Sequence, residues 1–125
     1  MFGRMFHPGV GEGGGVRRFF HRQALGGLLP LASLSLIKDK PAHGGEIYQS
    51  LKDKYEIEAP RPVVYVLLRG LERHGMVVSK WDIGESGPAR RLYTITEDGL
   101  EYLNLGLERL KKARKIIDQL TAGQA

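Results

Sequence analysis

The sequence predicts a mainly α-helical protein with a small β-hairpin, followed by one long C-terminal helix. Two observations support this prediction. Three apolar patterns of helical period precede two short segments rich in β-branched and aromatic residues, and a leucine repeat with steps of three and four residues runs through the last part of the chain. The order helix, helix, helix, hairpin is that of a winged helix-turn-helix. A length of 125 residues suits one compact domain of this kind.

The chain divides into three predicted regions. Residues 1–24 form a flexible Gly/Arg-rich tail, because glycine is concentrated there and the stretch Gly9–Gly15 has too few side chains to offset its ordering entropy. Residues 25–95 form the winged helix-turn-helix, and residues 96–125 form the C-terminal helix. The net charge is +5, with the basic excess in the tail and the middle region. By charge alone, a polyanionic partner and simple solubility explain this excess equally well.

The first two predicted helices cover residues 27–38 and 44–55. The first is so dense in leucine that it has to be buried on most sides, and Pro30 fits its first turn, where the missing N–H costs nothing. The second has one apolar face, because apolar side chains recur there at every fourth residue. These are Ile47, Leu51 and Tyr55.

The third predicted helix starts near Pro62 and ends at His74, and Gly75 is placed to cap its C-terminus. Its core face follows the i, i+3, i+4, i+7 pattern with Val64, Leu67, Leu68 and Leu71. Two strands follow, Met76–Trp81 and Arg90–Ile95, joined by a polar loop that contains glycine and proline. They predict a hairpin with a long tip.

The last segment predicts a helix of about 25 residues, roughly 37 Å long at 1.5 Å per residue. Thr96 suits its N-cap, and the acidic residues that follow suit the positive end of the helix dipole. A helix of this length is too long to be covered by the preceding domain, so we expect its apolar seam to pair with a second copy of the chain. The seam consists of Leu100, Leu103, Leu107, Leu110 and Ile117.

Several function classes find no support in the sequence. The absence of cysteine excludes disulfides, thiolate metal sites and cysteine nucleophiles. The histidines lack the spacing of metal ligands and no serine lies in the context of an activated nucleophile, so we predict no metal, no cofactor and no enzymatic activity. No apolar run is long enough to span a bilayer and no signal peptide is evident, which predicts a cytoplasmic protein without membrane contact.

Three segments of the chain resemble PadR-like winged-helix transcriptional regulators. They are His43–Ile47 at the start of the second helix, Val64–Met76 in the third helix, and Gly87–Gly99 in the wing, which is the most specific of the three. The single C-terminal helix is similar to the small branch of that family. The sequence departs from the family pattern at Gly45, where tyrosine is usual, at Val66, where proline is usual, and at Arg61-Pro62, where Gly-Ser or Gly-Thr is usual.

The resemblance implies a sequence-specific DNA-binding regulator, a homodimeric repressor that binds double-stranded operator DNA. In the third helix, Arg61 is the candidate for reading bases, because arginine can bind guanine O6 and N7 together. Tyr65 and Arg69 share its face, and we expect Arg69 to contact a phosphate. For Tyr65 two interpretations stay open: a DNA contact, or packing against the second helix.

The wing and a helix terminus supply the other DNA-binding candidates. Arg90 and Arg91 point to opposite sides of their strand, so only one can face DNA while the other reaches the protein body. The resemblance favours Arg90 for the DNA or wing-bracing role. We expect Lys80, across the hairpin, to add a phosphate contact. His43 lies beside the free N–H groups that begin the second helix, and its alternative interpretation is a structural turn residue.

Two further interpretations stay open. In some members of the family a flat aromatic compound binds at the dimer interface, and Tyr102 is the candidate residue here for a small aromatic ligand that releases DNA. Packing within the interface is the alternative role for this side chain. The winged helix could also be a protein-interaction module with secondary or lost DNA binding, in which case the long helix would pair with a different chain.

Overall fold

The computed structural model describes residues 27–84 and 87–123. In chain order its elements are α1 (Leu28–Asp39), β1 (Ala42–His43), α2 (Gly44–Tyr55), α3 (Arg61–Arg73), β2 (Val77–Asp82), β3 (Arg90–Ile95) and α4 (Glu97–Thr121). Three helices precede a hairpin and a long helix follows it, so the predicted fold class is confirmed. The tail predicted for residues 1–24 lies outside the described residues.

The hydrophobic core forms where α1, α2 and α3 meet the sheet and the first half of α4. The four residues predicted for the core face of α3 are all buried, and Val63 joins them. Burying a leucine or isoleucine side chain contributes about 1.5–3 kcal/mol, so this cluster supplies the main stabilisation of the fold. Its fully buried members include Leu34, Ile37, Ile47, Leu51, Val64, Leu68, Leu71 and Leu103.

The ends of α3 follow the local rules that the sequence indicated. Pro62 lies in the first turn, where its missing N–H has no intrahelical partner to lose. At the other end Gly75 takes a positive φ of 77°, a conformation that side chains with a Cβ rarely adopt. The N–H of Met76 donates to Leu71 O at 2.9 Å and that of Gly75 donates to Glu72 O at 3.0 Å, which completes a Schellman motif.

The sheet has three antiparallel strands in the order β1-β3-β2. Val77 pairs with Ile95 and Asp82 with Arg90 along the hairpin, while Ala42 of β1 pairs with Tyr93. The hairpin strands lie within one residue of their predicted bounds. The sequence analysis missed β1, because two residues are too few to show the two-residue period of a strand.

The helix α4 begins at its predicted cap and packs closely on the rest of the chain. Thr96 Oγ1 accepts the N–H of Gly99 at 3.0 Å and donates to the Gly75 carbonyl at 2.6 Å. A Cβ at Gly99 would overlap the Met76 carbonyl oxygen, so only glycine permits this approach. A Cβ at Gly106 would likewise overlap the Leu31 side chain of α1. One face of α4 therefore covers both α1 and the start of the hairpin near Met76.

This packing corrects one part of the predicted dimer seam. Leu103 is 0% exposed within a single chain, so its side chain belongs to the chain's own core and has no surface left for a partner. Leu107 and Leu110 are partly buried against the same core, whereas Ile117 is 48% exposed. Within the described ranges, no helix has both the length and the apolar character needed to cross a membrane.

Candidate nucleic-acid interface

The exposed side of α3 carries the three residues that the sequence placed on one helix face. Arg61 and Arg69 are exposed, and Tyr65 between them is half-buried. Their spacing of four residues puts them in one row along the helix. The opposite side of α3 is in the core, so this row is the surface that the helix presents outward.

Tyr65 packs against the first residue of α2. A Cβ at Gly44 would overlap Tyr65 Cε1, and one at Gly45 would lie 3.9 Å from the Tyr65 hydroxyl oxygen. The ring therefore lies directly on the beginning of α2, as one of its two interpretations predicted. The residue as a whole is half-buried, so part of its side chain stays accessible to a partner.

The guanidinium of Arg61 lies over an aromatic ring of the neighbouring helix. Its central carbon is 4.3 Å from the centroid of the Tyr48 ring, which is a cation–π contact. Arg61 Nη1 is also 3.6 Å from the position that a Cβ at Gly45 would occupy. The side chain predicted to read bases is thus held beside α2 rather than extended freely into solvent.

His43 is a buried brace between α2 and the wing. Its Nδ1 and Nε2 lie 2.8 Å from Glu46 Oε1 and 2.8 Å from Asp82 Oδ2. Its backbone N–H donates to the same Glu46 oxygen at 2.8 Å, which completes a capping box at the start of α2. Both ring nitrogens therefore face protein carboxylates, an arrangement that leaves neither of them for a DNA phosphate.

The capping box also shifts the ionisation of Glu46. The hydrogen bond from the His43 backbone N–H favours the carboxylate, burial partly opposes it, and the contact with the His43 ring adds to the same lowering. Together these lower the pKa of Glu46 below its ordinary value. The carboxylate form is the one that caps the helix.

The two wing arginines separate as the two-residue period predicted. Arg91 turns to the protein body, where Nη1 donates to Ser79 Oγ at 2.9 Å and lies 3.8 Å from Glu72 Oε1. Its guanidinium is also 4.7 Å from the centroid of the Trp81 ring. Arg91 is itself exposed, as are Arg90 at the start of β3 and Lys80 on β2, so the two arginines differ in their protein contacts and not in exposure.

A cavity of about 220 Å³ opens between the start of α2, the exposed row of α3 and the wing. Three of the residues that line it are arginines and none is acidic. We call this cavity the basic notch. Its lining is His43, Gly44, Gly45, Tyr65, Arg69, Trp81, Ala89, Arg90, Arg91 and Tyr93.

Several residues of this surface were missed as site residues by sequence reasoning. Glu72 accepts hydrogen bonds from the backbone and the hydroxyl of Ser79, and so joins α3 to β2. Asp82 reaches His43 across 39 positions of sequence. No periodicity or motif signals such contacts, because they depend on how the wing folds back. Tyr48 was not a candidate either, although it follows Ile47 of the apolar face of α2.

Tyr102, the candidate effector residue, lies half-buried on α4 against the core. Burial raises the pKa of its hydroxyl. Among the residues that the structure describes, no cluster of three or more histidine, aspartate or glutamate side chains could hold a metal ion.

The comparison with known families decides where this chain belongs. The profile of the Transcriptional regulator PadR-like family matches residues 34–105, which is more than half of the chain. This chain is a member of the PadR-like family. The resemblance found in the sequence is therefore confirmed, and the relatives that it matches are transcriptional regulators rather than enzymes.

Solved structures of PadR-like proteins and other regulators share this fold. A protein of Thermoplasma acidophilum described as a transcriptional regulator is 30% identical, with the alignment covering 86% of this chain and 99% of that one at a TM-score of 0.71. A PadR family transcriptional regulator from Eggerthella lenta is 28% identical, over 87% of this chain and 94% of that one, with a TM-score of 0.70.

A PadR-like transcriptional regulator from Bacillus cereus is 24% identical over 82% of this chain and 99% of that one, with a TM-score of 0.72, and supports the fold alone. No curated protein matches the chain significantly.

Proposed function

We propose that this PadR-like chain is a homodimeric, sequence-specific DNA-binding repressor that places α3 in the major groove. The observation that carries the proposal is the basic surface formed by the outward row of α3 and the wing beside it. Arg61, Arg69 and Arg90 are exposed on this surface, and the basic notch between them has no acidic residue in its lining. Such a surface can bind the phosphate backbone of DNA while other side chains on it reach the base edges in the groove.

Each side chain of this surface has a separate part in the proposal. Arg61, at the start of α3, reads a guanine in the major groove, where its two-donor edge matches O6 and N7. Arg69, Arg90 and Lys80 contact phosphates and fix the register, since their charges are exposed. The Tyr65 hydroxyl contacts the backbone from its place beside α2.

Two of the candidate DNA-binding residues, Arg91 and His43, have supporting parts in this proposal. Arg91 braces the wing through Ser79 and Trp81, and His43 braces it through Asp82. Their polar groups already have protein partners, so a contact with DNA would require those contacts to break.

The dimer is supported by the apolar residues that α4 leaves exposed near its C-terminal end. Ile116, Ile117 and Leu120 are large apolar side chains about half or more exposed. Burial of such residues against a second copy would place two α3 helices on one DNA duplex, with half-sites about 34 Å apart. A small aromatic ligand that binds near Tyr102 and releases the DNA is the further part of this proposal.

The test is a selection of bound sequences from random DNA at one physiological salt concentration, repeated with a panel of aromatic compounds. We expect an inverted repeat with half-sites about one helical turn apart, and an affinity that falls steeply with salt. Arg61→Ala should weaken discrimination at one base pair of each half-site by about 1–3 kcal/mol.

Lys112→Ala is the matched control, because it removes an exposed positive charge from α4 instead of α3. It should leave the selected sequence unchanged. A wild-type protein that enriches no sequence would show that the chain is not a sequence-specific DNA-binding protein. Capture of a different chain by α4 would then favour the protein-interaction function.

A further inference from the structure

The Arg61 side chain lies in a slot that belongs to α2. The Tyr48 ring forms one wall of this slot, and its centroid is 4.3 Å from the guanidinium carbon. It has an open side at Gly45, where a Cβ would be 3.6 Å from Arg61 Nη1. Gly45 and Tyr48 are three residues apart and therefore lie on the same side of the helix.

This placement leaves the hydrogen-bonding groups of Arg61 free. Within residues 27–84 and 87–123, no carboxylate or carbonyl oxygen accepts a hydrogen bond from its guanidinium. Stacking on a ring engages the face of a guanidinium, whereas recognition of guanine uses its N–H groups. The stacked arginine therefore keeps the groups that a base reader needs.

Stacking also restricts a side chain that is otherwise long and mobile. An exposed arginine samples many rotamers, and this freedom has to be lost when it binds one base. A guanidinium that is already held over Tyr48 has lost part of that freedom before DNA arrives. This smaller entropy cost favours binding to the base that Arg61 contacts, and it does not affect phosphate contacts elsewhere.

We propose that Gly45 and Tyr48 determine the sequence specificity of this chain by positioning Arg61 for base recognition. Tyr48 supports the guanidinium and Gly45 leaves the space in which it lies. The proposal rests on the proposed DNA-binding function and assigns to α2 a part in base choice without base contact. Both are positioning residues that act through Arg61.

The space around Gly45 allows two variants to be compared, one that leaves room for the Arg61 guanidinium and one that fills this room. An alanine there would put its Cβ at ordinary contact distance, 3.6 Å from Arg61 Nη1 and 3.9 Å from the Tyr65 hydroxyl oxygen. Gly45→Ala should therefore keep the slot open. Gly45→Leu adds atoms beyond Cβ where the guanidinium lies and should displace it.

A matched pair is also available at Tyr48. Tyr48→Phe keeps the aromatic face and should keep specificity, whereas Tyr48→Leu keeps an apolar side chain, though a smaller one, without the ring electrons that attract the cation. Lys52 Nζ also lies over the Tyr48 ring, at 5.3 Å from the centroid. Lys52→Ala therefore separates the role of Arg61 from that of the second cation on the same ring.

The experiment is the same random-DNA selection, performed on the full chain and on each variant at one salt concentration. Arg61→Ala identifies the base pair that Arg61 reads, with an expected loss of preference of about 5- to 150-fold there. Tyr48→Leu should lose about two- to fivefold at the same base pair, and Gly45→Leu should approach Arg61→Ala. Tyr48→Phe, Gly45→Ala and Lys52→Ala should keep the wild-type preference.

Two measurements exclude a merely structural effect. The slope of log affinity against log salt should be the same for Tyr48→Leu as for the wild type, because the phosphate contacts are untouched. Tyr48 packs against the core, so urea unfolding has to show that Tyr48→Leu is folded under the binding conditions. Adding Tyr48→Leu to Arg61→Ala should cause no further loss at that base pair, since the two residues act as one unit.

The outcomes separate this proposal from the proposed function. Tyr48→Leu and Gly45→Leu proteins that keep the wild-type preference at the Arg61 base pair would overturn the positioning role while DNA binding stands. An Arg61→Ala protein with an unchanged site would overturn it as well. A wild-type chain that selects no sequence would overturn the proposed function, and the positioning role with it.

Discussion

At the scale of single residues, His43 and Glu46 show how one contact can serve two elements. Glu46 caps the start of α2 through the His43 backbone N–H, and the His43 ring extends the connection to Asp82 in the wing. The sequence showed a histidine before a helix with a glutamate three positions later. It did not show Asp82, because that contact depends on the path of the chain 39 positions away.

The pH dependence of stability follows from the lowered pKa of Glu46. A carboxyl whose folded pKa is below its unfolded value stabilises the fold above the unfolded value, near 4.5, and loses that contribution as pH falls through the folded pKa. We expect Glu46→Gln to be less stable than the wild type above about pH 5, by about 0.3–1 kcal/mol, because glutamine can still accept the capping hydrogen bond but lacks the negative charge that strengthens it at the helix N-terminus. The difference should shrink below pH 4.5.

Urea unfolding at a series of pH values measures this difference, and circular dichroism provides the signal. Glu58→Gln removes an exposed glutamate from the loop before α3 and is the matched control. A stability difference between wild type and Glu46→Gln that stays constant from pH 7 to pH 3 would contradict the capping role.

At the scale of elements, the wing is the clearest case in which a sequence period predicted side-chain roles. Adjacent strand residues point to opposite sheet faces, and Arg91 contacts Ser79 and Trp81 on its face while the neighbouring Arg90 belongs to the other face. The period could not predict the partners of Arg91. Ser79 faces the same side of the sheet in the neighbouring strand, and Glu72 comes from α3.

The two arginines should respond differently to the same substitution. Arg90→Ala should weaken binding to the selected DNA and reduce the slope of log affinity against log salt by about 1, without changing stability. Arg91→Ala should lower the free energy of unfolding by about 1 kcal/mol, because it removes a cation–π contact and a hydrogen bond. Fluorescence anisotropy with labelled DNA and urea unfolding measure these quantities. Equal effects of both variants on the salt slope would contradict the division of roles.

The helices were predictable because α2, α3 and α4 each carry an apolar stripe, and α1 is dense in leucine throughout. The α3 pattern predicted its buried residues, and Gly75 marked its end. Two things were not predictable. The strand β1 exists only because Ala42 and His43 lie beside β3 in the folded chain, and the slot for Arg61 depends on how closely α2 and α3 pack.

At the scale of the whole molecule, α4 has two different parts. Its first half is a component of the chain's own core, where Leu103 is completely buried, and its second half exposes Ile116, Ile117 and Leu120. A heptad-like repeat shows which residues lie on one side of a helix, but it does not show whether the chain itself or a partner covers them. This explains why the sequence analysis placed Leu103 and Ile117 in a single seam.

Substitutions in the two halves should therefore have different consequences. Leu103→Ala should lower the free energy of unfolding by about 2–5 kcal/mol, because it leaves a cavity in the core. Ile117→Glu should shift the chain from dimer to monomer with the fold retained, since it places a charge on the proposed interface. Urea unfolding measures the first effect and light scattering the second.

Gln119→Glu adds the same charge on another side of α4 and is the matched control for Ile117→Glu. It should remain a dimer. A monomeric wild-type chain, or an Ile117→Glu protein that is still dimeric, would count against the dimer interface at this end of α4.

The close approach of Gly99 to Met76 fixes the start of α4 against the base of the wing. The first turn of α4 and the base of β2 touch through backbone atoms, and Thr96 Oγ1 donates to the carbonyls of Gly75 and Met76, so the two cannot slide past each other. With this point as the pivot, a helix of 25 residues converts a tilt of about 5° into a displacement of about 3 Å at its far end. In the proposed dimer, a displacement of about 3 Å where the two α4 helices meet would therefore turn each wing by only about 5°.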